Sequence, residues 1–386
     1  MRTSLHSSLQ SSFCTFSRTF SRTSAAGLAA LALLAGCTMP YRPPQFMEAD
    51  TRFPGLIDFV ARAENKRADV LLVHGMCTHD ASWASETVAT LAAQLAANTS
   101  APRSRTGGTG IEIIPATIAA PHGTLQVKSL IWSGLTTPIK QQLCYDQTDK
   151  SAICTGTPPF PATRARINAQ VKDWLVDDCL PDALVYQGVA RREIQARMRD
   201  AILAATEGAD PAAPLVVISE SLGSKILFDT LLAMSEEEAG SRAAQTAQRD
   251  VERMAYLIMA ANQIPLLQTA EQVPQAGASL TMQAAPPDSL AQLLAKRRAP
   301  ARERRTPAGG PLVLIAFTDP NDVLSYTLPP ERYRAQGAQV HNVLVSNART
   351  YFGWLENPVD AHLGYLANPD VGSLISCGVP RSALCK

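Results

Sequence analysis

Short, nearly continuous apolar runs recur along this chain. Val70-Leu71-Leu72-Val73, Leu215-Val216-Val217-Ile218, Tyr256 to Ala260, Leu312 to Phe317 and Val340 to Val345 are dominated by aliphatic side chains, and Val127 to Trp132 adds a weaker example. A strand with one wet face alternates apolar and polar positions, whereas a strand covered on both faces does not. The runs therefore predict buried strands. Between them, Trp83 to Ala97, Gly188 to Ala205 and Leu222 to Met234 have helical spacing, the second with a strongly charged face. Strands alternating with helices predict an α/β fold whose mainly parallel central sheet carries helices on both faces.

Two stretches break the alternation. Ser133 to Asp182, rich in Thr, Pro and Cys, is too long for a simple connection, so residues 133–182 are expected to be an insertion, either a lid or a surface elaboration. Ala285 to Gly310 carries Arg297, Arg298, Arg302, Arg304 and Arg305 among Pro and Ala, which predicts a solvated, mobile loop over 285–310. With 386 residues the chain can bury a full-sized core, and the domain is expected to occupy 69–386.

The beginning of the chain reads differently. Arg2, Arg18 and Arg22 precede an apolar run from Ala25 to Ala35, of the length of a signal-peptide core rather than a membrane span. That run ends in Leu34-Ala35-Gly36-Cys37, which resembles the lipobox of bacterial lipoproteins. The resemblance implies a signal peptide over 1–36, lipidation of Cys37 as the mature N-terminus and, with Thr38 following, an outer-membrane location in the cell envelope. Thr38 to Asp50, with Pro40, Pro43 and Pro44, is expected to be an extended tether within an N-terminal segment spanning 37–68. Setting Cys14 and Cys37 aside leaves Cys77, Cys144, Cys154, Cys179, Cys377 and Cys385. An even set in an exported chain suggests disulfides, and short loops favour Cys144 with Cys154 and Cys377 with Cys385, leaving Cys77 and Cys179 as a third pair. No zinc-type spacing is present. A formal charge of +1, from 35 basic and 34 acidic residues, provides no field that would favour nucleic acid as a partner.

Ser219-Glu220-Ser221-Leu222-Gly223 follows one predicted strand and opens a predicted helix. A serine on such a turn projects from the end of the sheet, where the N–H groups that begin the helix are unsatisfied and can hold a developing oxyanion. The usual pattern is G-x-S-x-G, and here Ser219 stands at the first glycine. An earlier strand ends in His74-Gly75-Met76, with His79 nearby. Together with acidic and histidine segments downstream, these motifs resemble the α/β-hydrolase superfamily of serine esterases and lipases, in the right order over roughly residues 70 to 365.

The resemblance implies Ser221 as nucleophile, with the Met76 and Leu222 backbone N–H groups as oxyanion hole and His74 as a structural residue. In the family's order the base follows the acid after the nucleophile. Of the six histidines only His341 and His362 lie beyond Ser221. His341 falls within an apolar strand, so His362, in an expected loop after the last strand, is the candidate base. The acid is expected after the Leu312–Phe317 strand, where Asp322 is favoured over the alternative Asp319, which would shape the turn before Pro320; Asp360 is an outsider. No cofactor or metal is implied. The expected activity is hydrolysis of carboxylic esters, lipid esters included, through a Ser-His-Asp triad and an acyl-enzyme. A peptidase or amidase with the same triad, or a non-catalytic envelope scaffold, are the alternatives.

Overall fold

The apolar runs become the middle of one sheet in the computed structural model, which describes residues 37–99, 105–106, 110–146, 153–156, 163–273, 285–298 and 310–385. Its longer strands are β1 (Arg67–Val73), β2 (Glu112–Ala120), β3 (Gly123–Ile131), β4 (Leu215–Glu220), β5 (Met254–Ala260), β6 (Leu312–Thr318) and β7 (Ala338–Leu344). They lie side by side in the order β2-β3-β1-β4-β5-β6-β7. All neighbours from β3 to β7 run parallel, and β2 joins β3 as an antiparallel hairpin. Short antiparallel pieces extend both edges, Asn98–Thr99 and Arg105–Thr106 along β2 and Gln45–Phe46 along β7.

β4, β5 and β6 are buried at every position, which is why they read as unbroken apolar runs. Alternate residues supply opposite cores. Leu71, Val73, Val217, Leu257 and Leu314 join one cluster with α4 (Arg191–Ala205), α5 (Leu222–Ser235), α6 (Arg242–Arg253) and α7 (Ser289–Ala295). Val70, Leu72, Val216, Ile258 and Ile315 join the other with α1 (Leu56–Arg62), α2 (Ala81–Gln94) and α9 (Pro369–Cys377). The protein is thus an α/β fold with a mixed, largely parallel sheet between two helical layers. β2 was not legible in the sequence: it is half exposed, and Pro115 within it, opposite Lys128, argues locally against a strand. The start of α2 is set by Asp80, whose carboxylate accepts the Ser82 amide at 2.8 Å.

Two regions differ from expectation. Residues 38–50 do not hang as a tether. Cys37–Thr38 pairs with Thr350–Tyr351, Gln45–Phe46 pairs with β7, and the Glu48 carboxylate takes both the backbone and side-chain N–H of Asn342 at 2.8 and 2.9 Å. The expected loop at 285–310 contains α7, whose Leu290, Leu293 and Leu294 are buried, and Arg297 is buried too. Its Arg302, Arg304 and Arg305 lie outside the described residues, as does the leader.

The insertion at 133–182 is clamped at its base. Lys140, fully buried, meets Asp178 at 2.8 Å and Asp182 at 3.2 Å, and Asp178 also accepts the Thr78 hydroxyl at 2.6 Å. Helical turns at 166–179 end in Cys179, which is bonded to Cys77, and α3 (Leu180–Gln187) follows. Cys144 pairs with Cys154 and Cys377 with Cys385, as the short loops favoured, and the Cys77–Cys179 bond settles the pair the sequence left open.

Candidate active site

Order reverses around β1: the chain leaves it for β3 on one side and reaches β4 on the other. In open α/β sheets the carboxyl ends of strands at such a point leave a crevice for ligands. Here those ends carry His74-Gly75-Met76 and Ser221. Ser221 has φ 51° and ψ −128°, a conformation that costs a side-chain-bearing residue energy, and α5 begins at the next residue. Its N–H is held by the Ala260 carbonyl at 2.8 Å.

Two glycines allow the close approach that the turn requires. A Cβ on Gly223 would lie 2.1 Å from the His74 carbonyl oxygen, and one on Gly75 would lie 2.7 Å from the Ser221 Cβ. Ser219, at the position where glycine is usual, is fully buried; it accepts the Ser224 hydroxyl at 2.9 Å, and its own hydroxyl lies 3.5 Å from the Ile258 carbonyl. The extra oxygen is therefore accommodated by partners rather than by space.

The downstream residues converge on Ser221. Its Oγ lies 3.1 Å from His362 Nε2, and His362 Nδ1 lies 2.9 Å from both carboxylate oxygens of Asp322. Asp322 also accepts the Tyr365 hydroxyl at 2.9 Å and the Leu324 amide at 3.0 Å. Asp319 is turned elsewhere: it accepts the Asn321 amide at 2.9 Å and the Asn347 amide at 2.6 Å, and so shapes the turn that presents Asp322. Asp360 accepts the Asn357 side-chain amide at 2.8 Å. His362 is not in a loop as expected but in a short helix, α8 (Pro358–Leu363), which Asn357 caps through the Val359 amide at 3.1 Å with Pro358 at its first turn. His341 packs on the Phe53 ring, centroids 5.3 Å apart, with neither ring nitrogen bonded, and burial lowers its pKa.

His74 anchors the opposite wall. Its Nε2 accepts the Trp132 amide at 2.9 Å, which makes Nδ1 the protonated nitrogen that donates to the Gly75 carbonyl at 2.8 Å. The ring stacks on Trp132, and burial holds its pKa well below the ordinary value, so it is neutral. Burial likewise lowers His79, to about 4. This rigid corner fixes the loop bearing Met76. Among the described residues, neither the Met76 nor the Leu222 N–H is taken by a turn or loop carbonyl, and Leu222 is the first residue of α5, where helix amides have no internal acceptor.

Sequence reasoning missed Tyr365 and Glu220. Tyr365 has no recognisable spacing; only the folded chain brings its hydroxyl to Asp322 while it also accepts the Asp319 amide at 2.7 Å. Glu220 did leave a signal, a carboxyl at the end of a strand that reads as buried throughout. Burial, followed by the charge of Asp322, pushes it up to about 8, and its Oε2 has no hydrogen-bond partner.

Ser221 and His362 are only 1% and 2% exposed. Beyond the His74-Gly75-Met76 loop opens a cleft of about 500 Å³, lined among others by Thr78, His79, Asp80, Glu112 and Ser133. No known protein family, curated protein or solved structure matches the chain.

Proposed function

We propose that the chain is a serine hydrolase of the α/β-hydrolase class. Within that class we assign it the hydrolysis of carboxylic esters, lipid esters among them, as an exported protein anchored through lipid on Cys37. The observation that carries the reading is the continuous relay from Ser221 Oγ to His362 to Asp322, built from residues far apart in the chain. In that relay Asp322 accepts a hydrogen bond from His362 Nδ1–H, which leaves the Nε2 lone pair facing the serine hydroxyl.

Ser221 attacks the ester carbonyl as His362 takes its proton. The carbonyl oxygen becomes an oxyanion, held by the Met76 and Leu222 N–H groups. His362 then returns the proton to the departing alcohol, leaving an acyl-enzyme, and water activated by the same histidine releases the acid and regenerates Ser221. Asp322 keeps the ring oriented and balances the imidazolium charge; Tyr365 keeps Asp322 in place.

Labelling with a fluorophosphonate probe, read beside turnover of a short p-nitrophenyl ester, tests the proposal. Ser221→Ala is expected to abolish labelling and lower turnover by ~10⁴-fold or more. Wild-type protein that is folded yet neither labels nor hydrolyses supports the scaffold alternative, and cleavage of a matched amide in preference to the ester would favour the amidase.

A further inference from the structure

Phe352, Trp354 and Leu355 form an apolar knuckle on the outside of the protein, 60%, 93% and 61% exposed. The chain reverses tightly here. The Trp354 N–H donates to the Tyr351 carbonyl at 3.0 Å and the Tyr351 N–H to the Leu355 carbonyl at 2.8 Å, with φ +55° at Phe352 and +69° at Gly353. A two-residue reversal with both central residues at positive φ favours Asn or Asp before Gly, because a bulky side chain is strained there. Phe352 occupies that position and yet faces water. Neither local conformation nor core packing accounts for an aromatic residue at this point.

What lies beside the knuckle suggests what covers it. Its base, Thr350–Tyr351, pairs antiparallel with Cys37–Thr38, so Cys37 is in register with Tyr351, and the Thr38 and Thr350 hydroxyls lie 2.6 Å apart. The expected lipidation site is thereby held next to the exposed aromatic turn. On its other side, Glu356 accepts the Asn321 side-chain amide at 2.7 Å, which joins the knuckle to the loop of Asp322, where Val323 and Tyr326 are also exposed.

We propose that the Phe352–Leu355 turn is a membrane-docking element: beside lipidated Cys37, it seats in the boundary between headgroups and acyl chains of a phospholipid bilayer. The inference rests on the lipoprotein reading of Cys37. Trp and Phe favour that boundary, where an apolar ring is buried while polar neighbours stay wet. A lipid chain alone leaves the orientation of its cargo free. A second apolar contact, held in register with the anchor by the sheet, turns one face of the protein to the membrane, and that face includes the Asp322 loop. Exposed apolar surface of this kind marks interaction sites, and a preformed turn loses little freedom on docking.

The test uses the full chain purified from bacterial envelopes, with acylation of Cys37 read by intact mass. It is incorporated into vesicles of phosphatidylethanolamine and phosphatidylglycerol with brominated acyl chains. Subtracting the emission of Trp354→Phe isolates Trp354 from the other tryptophans. Its emission is expected to shift to shorter wavelength, to be quenched severalfold by the brominated lipid and to lose access to aqueous acrylamide. Phe352→Asn, which suits the positive φ, is expected to raise the melting temperature while reducing that quenching severalfold, with hydrolysis of a short soluble ester unchanged. Trp354 that stays open to acrylamide and unquenched in protein acylated at Cys37 overturns the docking surface and leaves the anchor standing. An unacylated Cys37 overturns the lipoprotein reading; the same quenching measurement then supports the turn as a self-sufficient docking site if Trp354 is quenched, and overturns it if not.

Discussion

At the scale of single residues, the choice between Asp319 and Asp322 is the one that matters most for the chemistry. The two carboxylates are three positions apart and both follow β6, so periodicity treats them alike. Their partners separate them. Asp322 faces the His362 ring, while Asp319 is held by the Asn321 and Asn347 amides and carries the turn. Asp322→Asn is expected to lower kcat by ~10⁴-fold, because the imidazole then presents the wrong tautomer to Ser221. Asp319→Asn is expected to weaken folding more than it slows the chemical step. Steady-state kinetics alongside thermal melts of the two variants checks this, and equal losses of kcat would contradict the assignment. Ser221 and His362 were legible because chain order and a small histidine count left few choices; Tyr365 was not, since nothing in its neighbourhood announces a partner 43 residues upstream.

Elements show how little tolerance the turn at Ser221 has. β4 and α5 meet so closely at β1 that a methyl on Gly223 would collide with the His74 backbone, which cannot move away without dragging the Met76 amide. Gly223→Ala is therefore expected to destabilise the fold by about 1–3 kcal/mol or more and, on the proposed mechanism, to cut turnover, since the Met76 and Leu222 amides are no longer set against each other. Ser219→Gly, by contrast, removes a side chain whose hydroxyl meets Ser224. It should cost about 1 kcal/mol and leave turnover within severalfold of wild type. Urea melts and ester kinetics on the pair test this; a Gly223→Ala variant with wild-type stability would mean the close approach is not real. The strands themselves were readable wherever both faces are covered, as in β4 to β6. β2 and the docked residues 37–50 were not, because what holds them is hydrogen bonding to a distant edge, and an edge leaves no periodic signal in the segment that pairs with it.

Over the whole molecule, buried carboxyls set how stability responds to pH. Glu220 is pushed up to about 8, Glu356 to about 7 and Asp182 and Asp250 to about 6, each chiefly by burial. A carboxyl whose pKa is raised in the folded state stays protonated there while the unfolded chain has already ionised. Stability is then lost as pH rises from the ordinary carboxylate range towards the raised value, and levels off above it. Below about pH 6.5 the buried histidines His74, His79 and His341, whose pKa values burial lowers, act with the opposite sign, so the net fall in unfolding free energy is expected between about pH 6.5 and 8. Exposed carboxyls such as Asp80 and Asp210, whose pKa values hydrogen bonds lower, act with the opposite sign only in more acidic solution. Glu220→Gln should flatten the decline and add on the order of 3 kcal/mol near pH 7; denaturant titrations at pH 5 and pH 8 measure it, and an unchanged slope would show that Glu220 is not held protonated. The amino-acid sequence by itself determined the fold class, the turn that presents Ser221, the candidate base and the two short-loop disulfides, because burial, chain order and loop length are written locally or can be counted. Only the tertiary structure decided which aspartate meets His362, that Glu220 is enclosed beside the site, and that Cys37 lies against an exposed aromatic turn. Those depend on side-chain direction and on pairing across hundreds of residues, and no local pattern encodes either.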